Sequence, residues 1–404
     1  MLSVALARQT ILAHIQSLSG ELVPLAETLG RYLSEDIIAG FDIPLWDYSA
    51  MDGYAVCLSD SAAIPARLPV SQVIPAGATP RPLLPGSAAR IMTGAPIPAG
   101  AEAVIMREDT NEQDESVEIK RAPKKGENIR FKGEDIRLGS VVLKRGTLVG
   151  PSQIASLASL RLASVPCTRR PVVAVLSTGD ELVDVDQPLE PGKIPASNAY
   201  MLSGLIQELG AVPLSLGIAR DNRADIESKL AAAAAADLIL TSGGVSMGDF
   251  DLIKDVMTGA GNRMEFWQVA MKPGKPLAFG FTGGVPTIGL PGNPASAMVS
   301  FYQFARPAIL TLLGASMVYL PSVKARLITP IRKKTDRPHY VRGLLSSGTE
   351  LSVRPSGEQG SGILSSMAAA NCFIVIPKEL ELARAGDLVD CEIFGAIVSE
   401  EISP

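Results

Sequence analysis

The chain has 404 residues, of which 47% are hydrophobic and 20% charged, with a formal net charge of -5. This length exceeds what one hydrophobic core usually serves, so two to four domains are expected, and the acidic balance argues against a nucleic-acid partner. With only two histidines and four scattered cysteines, zinc catalysis and Ser-His-Asp hydrolysis have little support, and reduced, buried thiols are expected.

The first 18 residues carry apolar side chains at helical spacing but keep the polar Arg8 and His14 among them. A signal peptide would need a continuous apolar core and a small-residue cleavage site, and the segment has neither. No run of 18 apolar residues occurs in the sequence, so we expect no transmembrane helix and no membrane partner. A cytoplasmic location is the default expectation.

Residues 1–40 are predicted to be helical, with Ser3 capping the first helix, and with residues 141–170 they are expected to form a helical linker region. A further helix is predicted over Pro151–Leu162. Residues 41–140 are predicted to be a β-rich module, because short β-like runs alternate there with proline and glycine. These runs are Pro69–Ile74, Ala103–Met106 and Ser116–Ile119.

From Pro171 the pattern becomes that of βαβ units, in which apolar strands alternate with helices. We therefore predict an α/β multidomain protein whose central domain, residues 171–316, is a doubly wound, mostly parallel sheet. Residues 320–404 are predicted to form a C-terminal β-barrel or sandwich domain. The predicted central elements are strands Val172–Leu176, Val212–Ile218, Leu238–Leu240 and Pro286–Leu290, and helices from Ser197 or Asn198 to Gly210, Arg223–Ala236 and Ala295–Leu313.

Short polar loops follow the apolar runs of the central domain. Because loops at the carboxyl ends of parallel strands converge on one edge of the sheet, their side chains would share one crevice. Carboxylates, lysines and glycine turns in one crevice indicate a site for a phosphorylated substrate with a divalent cation. The loops are Ser177–Glu181, Arg220–Asn222, Thr241–Asp251, Lys272–Lys275 and Leu290–Pro294.

The carboxylates of these loops are the candidate metal ligands. Asp180 and Glu181 follow the first strand, Asp221 follows the second, and Asp249 and Asp251 follow the third. Like charges at neighbouring strand ends repel unless a cation bridges them, and an oxygen-liganded ion such as Mg²⁺ fits that role. Each carboxylate alone is more often a solvated loop residue, and a helix N-cap is a rival role for Asp251.

Two further features of the loops suit an anion. Gly243 and Gly244 permit close approach of the backbone to a ligand, although the loop lacks the Gly-Lys-Ser/Thr ending of a Walker P-loop. The loop Leu290–Ser296 leads into a helix whose free N–H groups favour anions, with an ordinary turn as an equal alternative. Lys272 and Lys275 place two ammonium groups on one turn, for which two surface lysines are the alternative.

Seven longer motifs stand in one order along the whole chain. They are SAMDGYA at 49–55, IMTGAPIPAGAEAV at 91–104, GENIRFKGEDI at 126–136, STGDEL at 177–182, SGGVSMGDFD at 242–251, MKPGKP at 271–276 and LPGNPASA at 290–297. The set resembles the molybdopterin molybdotransferase family, which inserts molybdenum into the pterin cofactor and includes the C-terminal domain of gephyrin.

The resemblance implies that the protein cleaves adenylated molybdopterin, places molybdate on the dithiolene and releases AMP. Carried over by motif, Glu181, Asp221 and Asp251 are implied as catalytic acids and ligands of Mg²⁺. Asp52 and Asp135 are implied as further catalytic residues. The implied substrate-binding residues are Thr93, Arg130, Asp180, Ser242, Gly243, Gly244, Ser246, Asp249, Pro291, Gly292, Asn293 and Pro294, and the implied molybdate-binding residues are Lys272, Lys275, Ser296, Arg337 and Ser361.

The resemblance also implies a homodimer, with the cleft between subunits and residues 1–40 and 141–170 as the dimerisation region. No adenylyltransferase domain is recognisable in the sequence, so a separate molybdopterin adenylyltransferase is expected as a transient partner. Two alternatives stay open. The chain is itself an adenylyltransferase, since residues 171–314 resemble that smaller family, or it is a non-catalytic scaffold like gephyrin.

Overall fold

The computed structural model describes residues 1–244, 252–259 and 261–399. Among the described helices, none combines the length and the apolarity that a membrane crossing requires. The contacts of the chain divide it into two compact units. The first unit comprises Met1–Glu35, Arg145–Pro151 and Ser164–Pro404, and the second comprises Asp36–Lys144 and Ser152–Ala163. The boundaries of the four regions predicted from the sequence stay predictions.

The chain begins with helix α1 (Val4–Leu12), and the Ser3 hydroxyl caps it by accepting the Leu6 N–H at 3.2 Å, as predicted. The prediction of helix throughout residues 1–40 is wrong. Strand β1 (Gly20–Pro24) follows α1 and buries Val23. Serine and glycine before this segment are poor helix formers, and its pairing partner lies more than a hundred residues away, where no local pattern reveals it.

The second unit is built on β-strands, as predicted for the β-rich module. Six of its strands form one sheet in the order β7-β4-β6-β5-β9-β8. The strands of the unit are β2 (Ile37–Ile38), β3 (Tyr48–Ser49), β4 (Gly53–Val56), β5 (Ala66–Ile74), β6 (Ala88–Ile91), β7 (Ala103–Met106), β8 (Thr110–Gln113), β9 (Ser116–Ile119), β10 (Ile129–Arg130) and β11 (Val141–Leu143). Helix α2 (Pro151–Ser159) starts at the predicted proline. Strand β12 (Ser164–Thr168), in the first unit, pairs antiparallel with β1.

The α/β part of the first unit follows. Its strands are β13 (Val172–Thr178), β14 (Leu182–Val183), β15 (Ile194–Pro195), β16 (Val212–Ala219), β17 (Leu238–Ser242), β18 (Arg263–Gln268), β19 (Pro276–Thr282) and β20 (Val285–Leu290). Its helices are α3 (Ser197–Glu208), α4 (Arg223–Ala231), α5 (Leu252–Thr258), α6 (Pro294–Ser300) and α7 (Arg306–Leu312), the last two joined by the π-helical segment Phe301–Ala305. Helix α4 is shorter than predicted, because residues 232–235 continue as turns.

The main sheet has the order β16-β13-β17-β20-β19-β18. Strands β16, β13, β17 and β20 are parallel, and β19 runs antiparallel to both of its neighbours. In β13, Val173 and Val175 pack in one core cluster with Leu202 of α3, whereas Ala174 and Leu176 pack in a second cluster, to which α4 contributes. Helices thus cover both faces, which confirms the doubly wound sheet and explains the fully apolar run Val172–Leu176 of β13.

The chain reaches β16 on one side of β13 and then crosses to β17 on the other side. The loops after β13 and β17 therefore leave the sheet in opposite directions, which opens a crevice at their carboxyl ends. Glycine ends the helix between β13 and β16 as predicted, since Gly210 has φ +85°. The topology alone thus indicates where a ligand would bind.

The C-terminal part is a closed five-stranded β-barrel, which settles the predicted choice between barrel and sandwich. Strands β24, β21, β27, β25 and β23 pair in turn, and β23 pairs back to β24. The elements of this part are β21 (Ser322–Leu327), β22 (Ile331–Arg332), β23 (His339–Ser347), β24 (Leu351–Pro355), α8 (Ser365–Ala368), β25 (Cys372–Ile376), β26 (Leu382–Ala383), β27 (Leu388–Ile393) and β28 (Val398–Ser399). All four cysteines are free, and three of them are buried.

Candidate active site

A cavity of about 700 Å³ lies in the first unit, at the carboxyl edge of the parallel strands. The loops after β13, β16, β17 and β20 form most of its wall, and Gly362 and Leu364 add a wall from the C-terminal part. The topology therefore brings together the loops that the sequence predicted to meet. The predicted site residues that line the cavity are Glu181, Asp221, Ser242, Gly243, Gly244, Pro291, Gly292, Asn293 and Pro294.

Two aspartates fasten the loops after β13 and β16 to each other. The backbone N–H of Asp180 donates to Oδ2 of Asp221 at 3.2 Å, and the N–H of Asp221 donates to Oδ1 of Asp180 at 3.1 Å. Lys193 Nζ donates to the Asp180 carbonyl at 2.7 Å. Asp221 lines the cavity, whereas Asp180, predicted to bind substrate, orients the neighbouring loop.

Glu181 lies on the same wall, and its carboxylate folds back over Gly179. A Cβ at Gly179 would lie 2.6 Å from Glu181 Oε2, so glycine leaves the room in which the carboxylate sits. This contact explains the Thr-Gly-Asp-Glu spacing. Strand β13 ends at Thr178, and Gly179 leaves space for the carboxylate of Glu181, which lines the cavity. Glu181 and Asp221 thus present carboxylates from two different strand ends.

The donor set of the cavity fits a hard cation. Two carboxylates and several hydroxyl groups are oxygen ligands, which Mg²⁺ prefers over the nitrogen and sulfur ligands of zinc. Within the described residues, however, no three Asp, Glu, His or Cys side chains are close enough to hold a metal ion. Asp251, the predicted third ligand, lies outside the described residues, as do Ser246 and Asp249.

Three polar atoms in the cavity wall have no hydrogen-bond partner in the described structure. They are Ser177 Oγ, Thr178 Oγ1 and Asn198 Oδ1, and all three are buried. Buried polar atoms in folded proteins are usually hydrogen-bonded, so each exception calls for a partner. A polar ligand in the cavity would supply donors and acceptors to these atoms.

Asn198 is a site residue whose role the sequence did not reveal. Its Nδ2 donates to Ser242 Oγ at 2.9 Å and to the Gly292 carbonyl at 2.7 Å, so it ties α3 to the loops after β17 and β20. The helix begins at Ser197, as predicted, but neither Ser197 nor Asn198 caps it: the N-cap is Ala196, without a side-chain hydrogen bond. The loop entering α3 forms one side of the crevice between β13 and β17. The topology of the sheet was therefore the signal that could have indicated Asn198 as a site residue.

We expect Asn198→Ala to lower the free energy of unfolding by about 1–3 kcal/mol, because it leaves the Gly292 carbonyl without its donor. Urea denaturation measures this loss, and hydrogen exchange of residues 291–293 should become faster. Asn262→Ala is the matched control, since Asn262 also donates to a carbonyl, that of Val256, but near the start of β18. Unchanged exchange at residues 291–293 in Asn198→Ala would contradict the bridging role.

The predicted molybdate-binding residues lie beside this cavity. The Lys272 N–H donates to the Pro338 carbonyl at 3.0 Å, which places Lys272 next to Arg337. The Ala295 N–H donates to the Ser361 carbonyl at 3.1 Å, which places Ser296 next to Ser361. Among the described residues that line the cavity, none is one of these five, but Pro276, Pro294 and Gly362, which lie within two residues of Lys275, Ser296 and Ser361, do line it. The structure thus brings Lys272 near Arg337 and Ser296 near Ser361, as two separate pairs.

The same contact corrects one expectation about the start of α6. The sequence predicted free N–H groups there, but the Ala295 N–H is occupied by Ser361 and Pro294 has no N–H to offer. Ser296 itself is buried, with 5% of its surface exposed. An anion beside α6 therefore depends on side chains and on the Ser361 loop more than on the helix start.

His339 lies beside Lys272 and is buried. Burial, with the positive charges of Lys272 and Lys333, lowers its pKa to about 4. The ring is therefore neutral near pH 7, and its Nε2 has no hydrogen-bond partner in the described part of the chain. Close by, Arg337 Nε donates to Asp336 Oδ2 at 3.0 Å, and the Lys333 ammonium donates to the Arg337 carbonyl at 3.2 Å.

The lowered pKa of His339 predicts a pH dependence of stability. An unfolded histidine has a pKa of about 6.5, so the unfolded chain binds the proton first as the pH falls. The contribution is fully present above pH 6.5, and about 3 kcal/mol is lost between pH 6.5 and pH 4. Urea denaturation of the wild type and of His339→Leu at both pH values checks this: the variant should lose less stability, and equal losses would contradict the pKa.

The predicted residues of the N-terminal half gather within the second unit. The Asp52 carboxylate accepts the N–H and the hydroxyl of Thr93, both at 2.7 Å, and the Thr93 N–H bond, followed by the hydroxyl bond, lowers the Asp52 pKa. Arg130 lies opposite Tyr48 in the β10–β3 pair, and the Asp135 N–H donates to the Ile43 carbonyl at 3.1 Å. The motifs at 49–55, 91–104 and 126–136 carry these residues, and backbone pairing around residues 43–50 joins them.

Three family models match this chain consecutively. Residues 2–160 match the MoeA N-terminal region (domain I and II). Residues 174–311 match a probable molybdopterin binding domain. Residues 324–394 match the MoeA C-terminal region (domain IV).

Named relatives and a solved structure agree with these matches. A molybdopterin molybdenumtransferase of Haemophilus influenzae is 40% identical over 98% of this chain and 100% of its own length. One of Staphylococcus aureus is 36% identical over 98% of this chain and 96% of its own. The crystal structure of the molybdopterin biosynthesis moeA protein of Pyrococcus horikoshii superimposes with a TM-score of 0.85 at 32% identity, over 98% of this chain and 100% of that one. Because these matches extend over nearly the whole chain, it belongs to the MoeA family of molybdopterin molybdenumtransferases.

Proposed function

We propose that this protein transfers molybdenum from molybdate to the dithiolene of adenylated molybdopterin and releases AMP. It is an enzyme of molybdenum cofactor biosynthesis. The proposal rests on the cavity at the carboxyl ends of the parallel strands. Glu181 and Asp221 line this cavity together with the unpaired polar atoms of Ser177, Thr178 and Asn198. Such a wall suits a phosphate-linked substrate, whose oxygens accept hydrogen bonds and whose charge needs neutralising.

Different residues of the cavity bind different parts of the adenylate. The buried hydroxyls of Ser177 and Thr178 have no partner among the described residues, and we propose that they donate to phosphate oxygens. Gly243 and Gly244 let a ligand approach the backbone after β17. Glu181 and Asp221, with Asp251, would hold Mg²⁺, and the bound ion would supply positive charge that neutralises phosphate oxygens.

Molybdate enters as the second substrate. It is a tetrahedral dianion, and the ammonium groups of Lys272 and Lys275 with the guanidinium of Arg337 supply the positive charge that it requires. Ser296 and Ser361 supply polar groups on the side of the site next to α6. His339 stays neutral near pH 7, so it adds no positive charge beside Lys272.

Asp52, Thr93, Arg130 and Asp135 belong to the second unit. We propose that they complete the site in a homodimer, in which a second copy of the chain contributes them. The adenylated substrate comes from a separate molybdopterin adenylyltransferase. The cytoplasm, which keeps thiols reduced, is the proposed location, in keeping with four free cysteines.

The substrate requirement separates the proposed reaction from its alternatives. The purified protein is incubated with adenylated molybdopterin, with and without molybdate, and AMP is followed by chromatography. Molybdate-dependent AMP release supports the proposal. Formation of adenylate from ATP and molybdopterin would instead make the chain an adenylyltransferase. Peptide binding without turnover of either substrate would make it a scaffold.

Removal of divalent cations tests the proposed Mg²⁺ separately. After EDTA treatment and desalting, AMP release should fall by at least about tenfold, because the departing phosphate loses its counter-charge. Added MgCl₂ should restore the rate, while the same concentration of NaCl serves as the control. An EDTA-treated protein that keeps its full rate would contradict a role for the cation.

A further inference from the structure

Arg342 of β23 is a charged residue inside the C-terminal barrel region that the proposed mechanism does not use. Only 1% of its surface is exposed, and it is the largest fully buried side chain among the described residues. None of the ion pairs in the described part of the chain includes Arg342. A buried cation without a carboxylate is costly unless other groups satisfy all of its donors.

Three hydrogen bonds of the Arg342 guanidinium end on residues 358–366. Its Nη2 donates to the carbonyls of Glu358 at 2.8 Å and Gly360 at 3.1 Å. Its Nε donates to Ser366 Oγ at 3.0 Å, where the loop enters α8. Gln359 bonds the Arg342 backbone on both sides, accepting its N–H at 2.9 Å and donating to its carbonyl at 3.2 Å. We call residues 357–364 the clamp loop.

The clamp loop continues directly into the wall of the cavity. The Ser361 carbonyl accepts the Ala295 N–H at 3.1 Å, which joins the loop to the start of α6. Gly362 and Leu364 line the cavity, as does Pro294 of α6. The guanidinium therefore holds two carbonyls immediately before the residues that reach the site.

Arginine suits this position better than other side chains. Its guanidinium is planar and directs five donors in a fixed geometry, so it can serve several acceptors of one loop at once. Burial lowers the pKa of Arg342. Because the ordinary pKa of arginine is very high, the group still stays charged. An apolar side chain of similar size would fill the space but would leave the two carbonyls unpaired.

We infer that Arg342 is a positioning residue of the active site, which fixes the clamp loop so that Gly362 and Leu364 form the wall beside α6. The inference rests on the proposed function, because the wall matters for catalysis only if the cavity binds the substrates. Arg342 itself does not reach the cavity wall, so its effect passes through the loop.

The test compares Arg342→Met and Arg342→Lys with the wild type. In Arg342→Met, hydrogen exchange at the Ala295 amide should become faster, and KM should rise about tenfold while kcat changes less, because a displaced wall weakens substrate binding. Arg342→Lys keeps the charge and should recover part of the loss. Arg326→Met is the matched control, since Arg326 lies exposed on the barrel and pairs with Glu350, so both measurements should stay at the wild-type values.

Wild-type exchange and an unchanged KM in a folded Arg342→Met would overturn the inference. If that variant does not fold, Ser366→Ala replaces it, because it removes the acceptor of the Arg342 Nε. Faster exchange at Ala295 in Ser366→Ala supports the inference, and unchanged exchange refutes it. If the wild type releases no AMP, the proposed function fails, while the exchange measurement still decides whether Arg342 holds the loop.

Discussion

Glu181→Gln and Asp221→Asn are expected to abolish AMP release from adenylated molybdopterin, each lowering the rate by at least about 10³-fold. Both carboxylates line the cavity and come from neighbouring strand ends. Each substitution keeps the size of the side chain but removes the negative charge that we propose holds Mg²⁺. The same loss is expected for Asp251→Asn. Stopped assays of AMP measure the rates.

The fold should persist in these variants. Asp221→Asn keeps an oxygen that can accept the Asp180 N–H, so thermal unfolding should stay close to that of the wild type. Asp186→Asn is the matched control, since this exposed carboxylate lies a few residues beyond Glu181 and bonds only its neighbour Gln187 among the described contacts. Wild-type rates in Glu181→Gln and Asp221→Asn would remove both residues from the site.

Gly243→Ala is expected to damage the site through the backbone. Gly243 has φ +95°, and a Cβ there would lie 2.4 Å from the Thr178 carbonyl oxygen. The loop after β17 must therefore move away from β13, which displaces the cavity wall. We expect the free energy of unfolding to fall by about 1–3 kcal/mol and the rate of AMP release to fall by about 100-fold.

Gly204→Ala is the control for this substitution. Gly204 lies within α3 with no atom within 4 Å of its added Cβ, and alanine favours a helix over glycine by about 0.5–1 kcal/mol. The two variants should thus change the free energy of unfolding in opposite directions. Urea denaturation and the AMP assay check them together. A Gly243→Ala protein with normal stability and rate would contradict the close packing of this loop.

The central sheet was predictable from the sequence because its signals are local. A fully apolar run such as that of β13 has helices on both faces, and the loops at its carboxyl end must converge with those of its parallel neighbours. Glu181 and Asp221 follow neighbouring strands and were therefore predictable as members of one site. The glycine pair after β17 was also visible in the local sequence, and Gly243 adopts a positive φ of +95°.

Other features depended on contacts between distant residues. Strand β1 pairs with β12 more than a hundred residues later, so a segment predicted as helix from its composition is a strand in the structure. Asn198 bridges to Gly292 across the crevice, and its sequence neighbourhood indicated only a helix start. Arg342 is buried by its barrel neighbours, although an arginine in a strand is ordinarily exposed.

The most direct test of the account is a crystal structure of the protein soaked with AMP, Mg²⁺ and molybdate. The account predicts the AMP phosphate in the 700 Å³ cavity, with its oxygens within hydrogen-bond distance of Ser177 and Thr178, and molybdate beside Lys272 and Ser361. AMP bound at another surface, with these side chains still unpaired, would contradict it.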